Sequence, residues 1–443
     1  MAASKPPPSS PQSYAAALEA IEKIATDQRN GQNIKSATVP LEHAVGRTAA
    51  CDHTNPESTP KYDTSAMDGY AIRSAATKAA SPDTPVMFQI KGTIAAGDDL
   101  SQVLEDLDNT NLEVCVEIMT GGIFPPQFDA CVKLEDVTIH QGQILVTKPL
   151  PPNTNKRLAG SDIPRGSTVL KAGEVIQLPH ILPLASTGFT SVTVARQDRV
   201  GVFSTGKELL QGRANDINGP YLTAAAKDAG ANVDFLGIIG DEPAELHRRL
   251  AEVVDEGYDV VITSGAVSKG RYDHIRDVLE KMGAEILFHG LAIRPGHPVL
   301  LAFLTASTGR KVAFFGLPGN PGAAATYFRF LVVPYLRRLR GQERERFMPA
   351  TLMNSSAQAS KAKPQVSCKA LDCFRHGVLS VFPDGRLGVE VSLEQSPAKL
   401  APYRKANCWV HFESQHGDFE PSELEIVKCY PFSPPANLLE LVS

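Results

Sequence analysis

The chain has 443 residues, 42% of them hydrophobic and 21% charged, with a net charge of −5. That balance is ordinary for a soluble globular protein of about two to four domains, and its acidic sign argues against a general nucleic-acid binder. No apolar run approaches the roughly 20 residues needed to span a bilayer, so no membrane partner is expected.

Residues 1–13, rich in Pro, Ser and Ala, read as a disordered tail rather than a signal or transit peptide. Ala17, Leu18, Ile21 and Ile24 then recur at helical spacing behind Ser13, a good cap. Residues 84–148 are short apolar alternations broken by Gly, Pro and Asp, which predicts a mainly β domain. Residues 151–155 read as a linker. From Arg199 onward strands are expected near 200–203, 232–239, 259–263, 286–289, 298–303 and 312–315. Helices are expected at 219–228, 243–256 and 272–282. Strands alternating with amphipathic helices predict a multidomain α/β plus β protein with a central, doubly wound parallel sheet. After Arg346 the pattern turns β again. Residues 378–382 and 387–391 flank a Pro-Asp-Gly turn as a hairpin, and 409–412 add a strand. The seven cysteines form no Cys-x-x-Cys or zinc-like spacing, which fits free thiols in a reducing cytoplasm.

The segment Phe315-Gly316-Leu317-Pro318-Gly319-Asn320-Pro321 ends a strand and opens a long helical pattern over 323–339. Asn320 suits the N-cap and Pro321 the first helical position. Such a helix start offers N–H groups and a positive dipole end to an anion. Two more loops fall at the C-terminal ends of predicted parallel strands: Ser204-Thr205-Gly206-Lys207-Glu208, and Ser264-Gly265-Ala266-Val267-Ser268-Lys269-Gly270. Ligands of open α/β sheets bind at that edge. Small and hydroxyl residues there let backbone groups approach phosphate oxygens closely. Three such loops favour a phosphorylated or nucleotide-like anionic ligand, although none matches a Walker or dinucleotide motif. Asp241 and Asp273 follow a strand and the Ser-Gly loop. Either could bind Mg²⁺ or simply cap a helix.

Six segments occur in order: Ser65-Ala66-Met67-Asp68-Gly69-Tyr70-Ala71, Ile118-Met119-Thr120-Gly121, Gly160-Ser161-Asp162-Ile163, Ser204-Thr205-Gly206, Thr263-Ser264-Gly265 and Gly316-Leu317-Pro318-Gly319-Asn320-Pro321. Together they resemble the MoeA family of molybdopterin molybdenumtransferases, also found as the E domain of gephyrin-type proteins. The resemblance implies an elongated N-terminal domain (14–55 with 150–196), an inserted β domain (56–149), an α/β molybdopterin-binding domain (197–345) and a C-terminal β domain (346–443). It implies a homodimer with a shared active site. It also implies a reaction of adenylylated molybdopterin with molybdate that releases AMP and uses Mg²⁺. The family's acidic positions fall on Asp68, Asp162, Glu208, Asp241 and Asp273, with Asp241 and Asp273 as metal ligands. Thr120, Pro318 and Pro321 match further active-site positions. Ser204, Thr205, Gly206, Ser264, Gly265, Ser268, Gly270, Arg294, Gly319 and Asn320 complete the expected substrate-binding set.

The departures from the family pattern gather in these loops. Lys207 stands in an acid's place, and Ala266, Lys269 and Arg271 replace the usual Gly, apolar residue and acid. Arg294-Pro295-Gly296-His297-Pro298 replaces Lys-Pro-Gly-Lys-Pro, and Gly322-Ala323 replaces Val-Ser. Losing a hydroxyl weakens an oxyanion site, while added cations suit a more anionic ligand. Three functions are therefore carried forward: a molybdenum insertase, a diverged paralogue acting on another small anionic substrate, and a non-catalytic scaffold.

Overall fold

The computed structural model describes residues 12–31, 36–100, 113–240, 242–265, 274–353, 371–382, 385–391, 396–414 and 426–432. The chain divides into two compact units. One comprises Met1–Ala37, Gly46–Ala50 and Ala195–Ser443; the other comprises Thr38–Val45 and Cys51–Val194.

At the centre of the first unit is a six-stranded sheet in the order Asn232–Ile239, Arg199–Thr205, Val260–Ser264, Lys311–Leu317, Leu300–Thr305, Glu285–His289. The first four strands are parallel. Leu300–Thr305 runs antiparallel to both of its neighbours. The reason is the short connection at 306–310, because a parallel link needs a crossover of about a dozen residues or more. Helices cover both faces. Val260 and Ile262 enter one hydrophobic core, while Val261 between them enters the other, as the two-residue period of a strand requires. Leu246, Leu250 and Val253 of the Pro243–Asp255 helix pack into the second core. Ala17, Leu18, Ile21 and Ala25 of the Tyr14–Gly31 helix pack into the first.

The long helix expected over 323–339 is made in three pieces: Pro321–Tyr327, a π-helical turn at Phe328–Val332, and Val333–Leu339. Pro334 has no N–H to give to the preceding turn, and a wider turn absorbs that loss.

The last part of this unit is a closed sheet. Asp372–Val381, Leu387–Val391, Met348–Met353, Ile426–Pro431 and Cys408–Phe412 pair in that order, and the last strand pairs back to the first. Closure pairs each of these five strands on both sides, and the short Ile293–Arg294 strand also pairs with Asp372–Val381. The predicted hairpin is present, with Gly377 opposite Val391 and Val381 opposite Leu387.

The second unit is mainly β. Its six-stranded sheet runs Ala130–Lys133, Gly69–Ile72, Val114–Ile118, Val86–Ile94, Gln143–Val146, Val137–His140. Tyr70 and Ile72 face one core of this sheet, and Ala71 faces the other.

Candidate active site

Three loops at the C-terminal ends of neighbouring parallel strands border one cavity of about 660 Å³. Thr205 and Gly206 come from the first loop and Ser264 and Gly265 from the second. Pro318, Gly319, Asn320 and Pro321 form the third. This is the edge at which open α/β sheets take their ligands. Specific hydrogen bonds fix the loops to one another. Thr205 Oγ1 donates to Ser264 O at 2.9 Å, and the Gly265 amide donates to Leu317 O at 2.9 Å. Gly265 adopts φ +99°, and a Cβ there would lie 2.6 Å from Thr205 Oγ1 and 3.0 Å from Thr205 O. Only glycine permits both the conformation and the close approach.

A fourth wall comes from residues the sequence reading passed over. Asp216 accepts from Ser204 Oγ at 2.7 Å and from the Gly219 amide at 2.9 Å. Asn218 donates through Nδ2 to Gly319 O at 2.8 Å. Asp216 and Asn218 both border the cavity, whereas Ser204 lies buried beneath its lining. The available signal was Asp216-Ile217-Asn218-Gly219-Pro220 ahead of a helical run, a recognisable helix-start pattern. Pro397, from the segment after the Leu387–Val391 strand, supplies a further piece of wall. Nothing in its sequence neighbourhood marks it.

The helix start differs from expectation in one respect. Asn320 occupies the N-cap position in extended backbone, but its side chain makes no capping hydrogen bond. Instead the Gly322 amide donates to Pro397 O at 3.0 Å. The buried oxygens Asn218 Oδ1, Ser264 Oγ and Asn320 Oδ1 have no partner among the described residues. Orphaned buried acceptors are uncommon in folded proteins and call for a water, ion or ligand.

Glu208 borders the cavity with an exposed side chain, and Lys207 beside it is also exposed. Ala323 is buried at the cavity edge. Arg294 is exposed on the short Ile293–Arg294 strand and is absent from the cavity lining, to which Gly296 and Pro298 of the same segment contribute. Asp241, Ala266, Ser268, Lys269, Gly270, Arg271 and Asp273 lie outside the described residues. Among the described residues no group of three or more His, Cys, Asp and Glu side chains is placed to hold a metal ion.

The remaining predicted residues belong to the β unit. Asp68 Oδ1 accepts from both the amide and the hydroxyl of Thr120, at 2.6 and 2.8 Å. These two donors hold the Asp68 carboxyl below its ordinary pKa. Nearby in sequence, Asp63 accepts from the Ala159 amide at 2.8 Å and pairs with Lys156 at 2.9 Å, which also lowers its pKa. Asp162 forms an exposed ion pair with Arg157 at 3.0 Å.

Comparison with known proteins bears on this geometry. Residues 12–188 match the model of the MoeA N-terminal region (domain I and II), and residues 201–338 match that of a probable molybdopterin binding domain. The chain is 32% identical over 363 residues to a molybdopterin molybdenumtransferase of Staphylococcus aureus (strain COL), covering 80% of this chain and 83% of that one. The chain belongs to the molybdopterin molybdenumtransferase family. A second such transferase, from Haemophilus influenzae, is 30% identical over 398 residues, covering 88% of this chain and 93% of its own. A crystal structure of a molybdopterin biosynthesis MoeA protein from Pyrococcus horikosii matches with a TM-score of 0.75 and 27% identity, over 96% of this chain and 100% of that one. Membership of the molybdopterin molybdenumtransferases agrees with the motif resemblance and with the α/β plus β architecture read from the sequence. No helix among the described residues is long and apolar enough to cross a membrane.

Proposed function

We propose that this chain is a molybdenum insertase of molybdenum cofactor biosynthesis, taking adenylylated molybdopterin and molybdate to molybdenum cofactor and AMP. The observation that carries the reading is the cavity at the sheet's C-terminal edge, bordered together by the Thr205–Gly206, Ser264–Gly265 and Pro318–Pro321 loops. The glycines at 206, 265 and 319 leave room for phosphate oxygens to approach the backbone.

The carboxylates that border the cavity are those of Glu208 and Asp216. That set fits Mg²⁺, a hard cation that takes one or two carboxylates and fills its shell with phosphate oxygens and water. Glu208 would hold it, together with Asp241 and Asp273 as read from the family pattern. When bound, the ion neutralises charge on the phosphates being parted. The chain's own residues bind and orient. The Ser264–Gly265 and Pro318–Pro321 loops grip the substrate; the Gly265 amide ties the first to Leu317, and Asn218 ties the second to the start of the Asn218–Asp228 helix. In the β unit, Asp68 stays ionised beside Thr120, and with Asp162, paired to Arg157, it would form a second acidic group of a shared homodimer site. On this reading the chain has the four-domain layout set out above and works in the cytoplasm, in keeping with the free thiols of Cys51, Cys115, Cys131, Cys373, Cys408 and Cys429.

Lys207 and Ala323 favour the second reading, a diverged paralogue that uses the same cavity for another small anionic substrate. One assay separates the two. Purified protein given adenylylated molybdopterin, Mg²⁺ and molybdate releases AMP and carries dithiolene-bound molybdenum if it is an insertase. Absence of both products, with the adenylate still bound, assigns the cavity to a different substrate.

A further inference from the structure

Gly322 lacks a side chain at a point where any side chain would strike backbone. A Cβ at this position would lie 2.7 Å from Pro397 O, 3.0 Å from Pro397 Cα and 3.2 Å from Pro397 C. The same carbonyl accepts the Gly322 amide at 3.0 Å. Amides in the first turn of a helix have no acceptor within the helix, and the Asn320 side chain supplies none here. The acceptor therefore comes from a segment distant in sequence, which is itself ordered by a turn from Ser396 O to the Lys399 amide at 2.9 Å. Pro397 also borders the ligand cavity. Residue 322 thus touches the back of a cavity wall, and its lack of a Cβ sets how closely that wall can approach.

We propose that Gly322 is a specificity-determining position: by admitting the Pro397 segment against the start of the Pro321–Tyr327 helix, it closes one side of the substrate cavity. The proposal rests on the reading of that cavity as the molybdopterin adenylate site. The obstructing atoms are backbone on both sides, so a side chain at 322 cannot be accommodated by turning a flexible tip. The wall must withdraw, the Gly322 amide loses its acceptor, and the cavity widens toward Pro397. The Val that the family pattern carries at this place is incompatible with the wall as it stands here.

The test uses the full-length protein with Gly322→Val and the milder Gly322→Ala. Amide hydrogen exchange is read at residue 322 and over residues 396–400, with residues 260–264 as a check on the intact sheet. Both variants are expected to raise exchange by about tenfold or more at residue 322, whose amide loses its Pro397 acceptor, and at 398–400 as the segment withdraws, and to leave 260–264 unchanged. Binding of adenylylated molybdopterin, measured by calorimetry, is expected to weaken by about tenfold in Gly322→Val. In a background with residues 396–399 replaced by glycine and serine, Gly322→Val should then have no further effect. Unchanged exchange at 396–400 in both variants overturns the proposal, as does an undiminished effect of Gly322→Val in the replaced background. If the wild-type chain does not bind the adenylate but exchange at 396–400 still responds to residue 322, the closing wall stands and the insertase reading falls.

Discussion

Asn218 Nδ2 donates to Gly319 O at 2.8 Å, joining the start of the Asn218–Asp228 helix to the Leu-Pro-Gly-Asn-Pro turn. The two residues are 101 positions apart in the chain, and both border the cavity. The bond fixes the distance between two loops bordering the cavity that the sheet alone would leave free to drift.

Asn218→Ala removes this tie and leaves the Gly319 carbonyl without its donor. The expected cost is about 1–2 kcal/mol of stability in the α/β unit, measured by urea denaturation followed within that unit. Substrate affinity should fall with it, because the Pro318–Pro321 turn loses its register against the opposite wall. A variant that kept both stability and affinity would show that the turn holds itself in place.

Gly265→Ala tests the closest approach in the site. The substitution meets both the φ of +99° and the 2.6 Å approach to Thr205 Oγ1. Strain of about 1–3 kcal/mol is expected, with the Thr205-to-Ser264 hydrogen bond broken. Crystallography of the variant should show the second loop displaced and the cavity reshaped.

Much of this site was legible in the sequence, for physical reasons that can be named. The strand–loop–helix rhythm is a local signal, so the loops at Thr205, Ser264 and Pro318 could be placed on one sheet edge without knowing strand order. The antiparallel turn of Leu300–Thr305 was also within reach, since residues 306–310 are too few for a crossover. What escaped depends on contacts between distant segments. Asp216 looks like any residue before a helix until Ser204 is seen to donate to it. Pro397 has no periodic signature at all, and its role arises only because Gly322 leaves space for its carbonyl. Asn320 was read as a capping side chain from its position, but the helix takes its acceptor from Pro397 instead.

The Asp68–Thr120 contact predicts a specific titration. Two hydrogen bonds to Oδ1 stabilise the ionised form, so the folded-state pKa lies below the ordinary 3.8. Because the folded value is the lower one, the linked stability is present above 3.8 and is lost as pH falls through the folded pKa. Near neutral pH the group stays ionised, and small changes of pH should not alter its charge. Thr120→Val keeps the amide but deletes the hydroxyl, so the Asp68 pKa should move up toward 3.8, as read by carboxyl-carbon NMR. An unmoved value would assign the whole effect to the Thr120 amide.

Ala323→Ser tests whether the site's departures have changed its chemistry. Ala323 is buried at the cavity edge, with its Cβ 2.9 Å from where a Cβ on Gly296 would stand. Gly296 is in turn held by the Tyr327 hydroxyl, which donates to Gly296 O at 2.8 Å. A serine here adds one donor to a wall that already holds the unpartnered Ser264 Oγ and Asn320 Oδ1. One added neutral hydrogen bond to an oxyanion is worth about 1 kcal/mol, roughly a fivefold gain in affinity. If the chain inserts molybdenum, Ala323→Ser should lower the molybdate concentration needed for half-maximal AMP release by about that factor, with little change in the dependence on the adenylate. If the cavity serves another anion, the same variant should leave molybdate without effect and shift only the affinity for that anion. The two outcomes differ in which ligand responds, so the assay distinguishes a weakened insertase from a repurposed one.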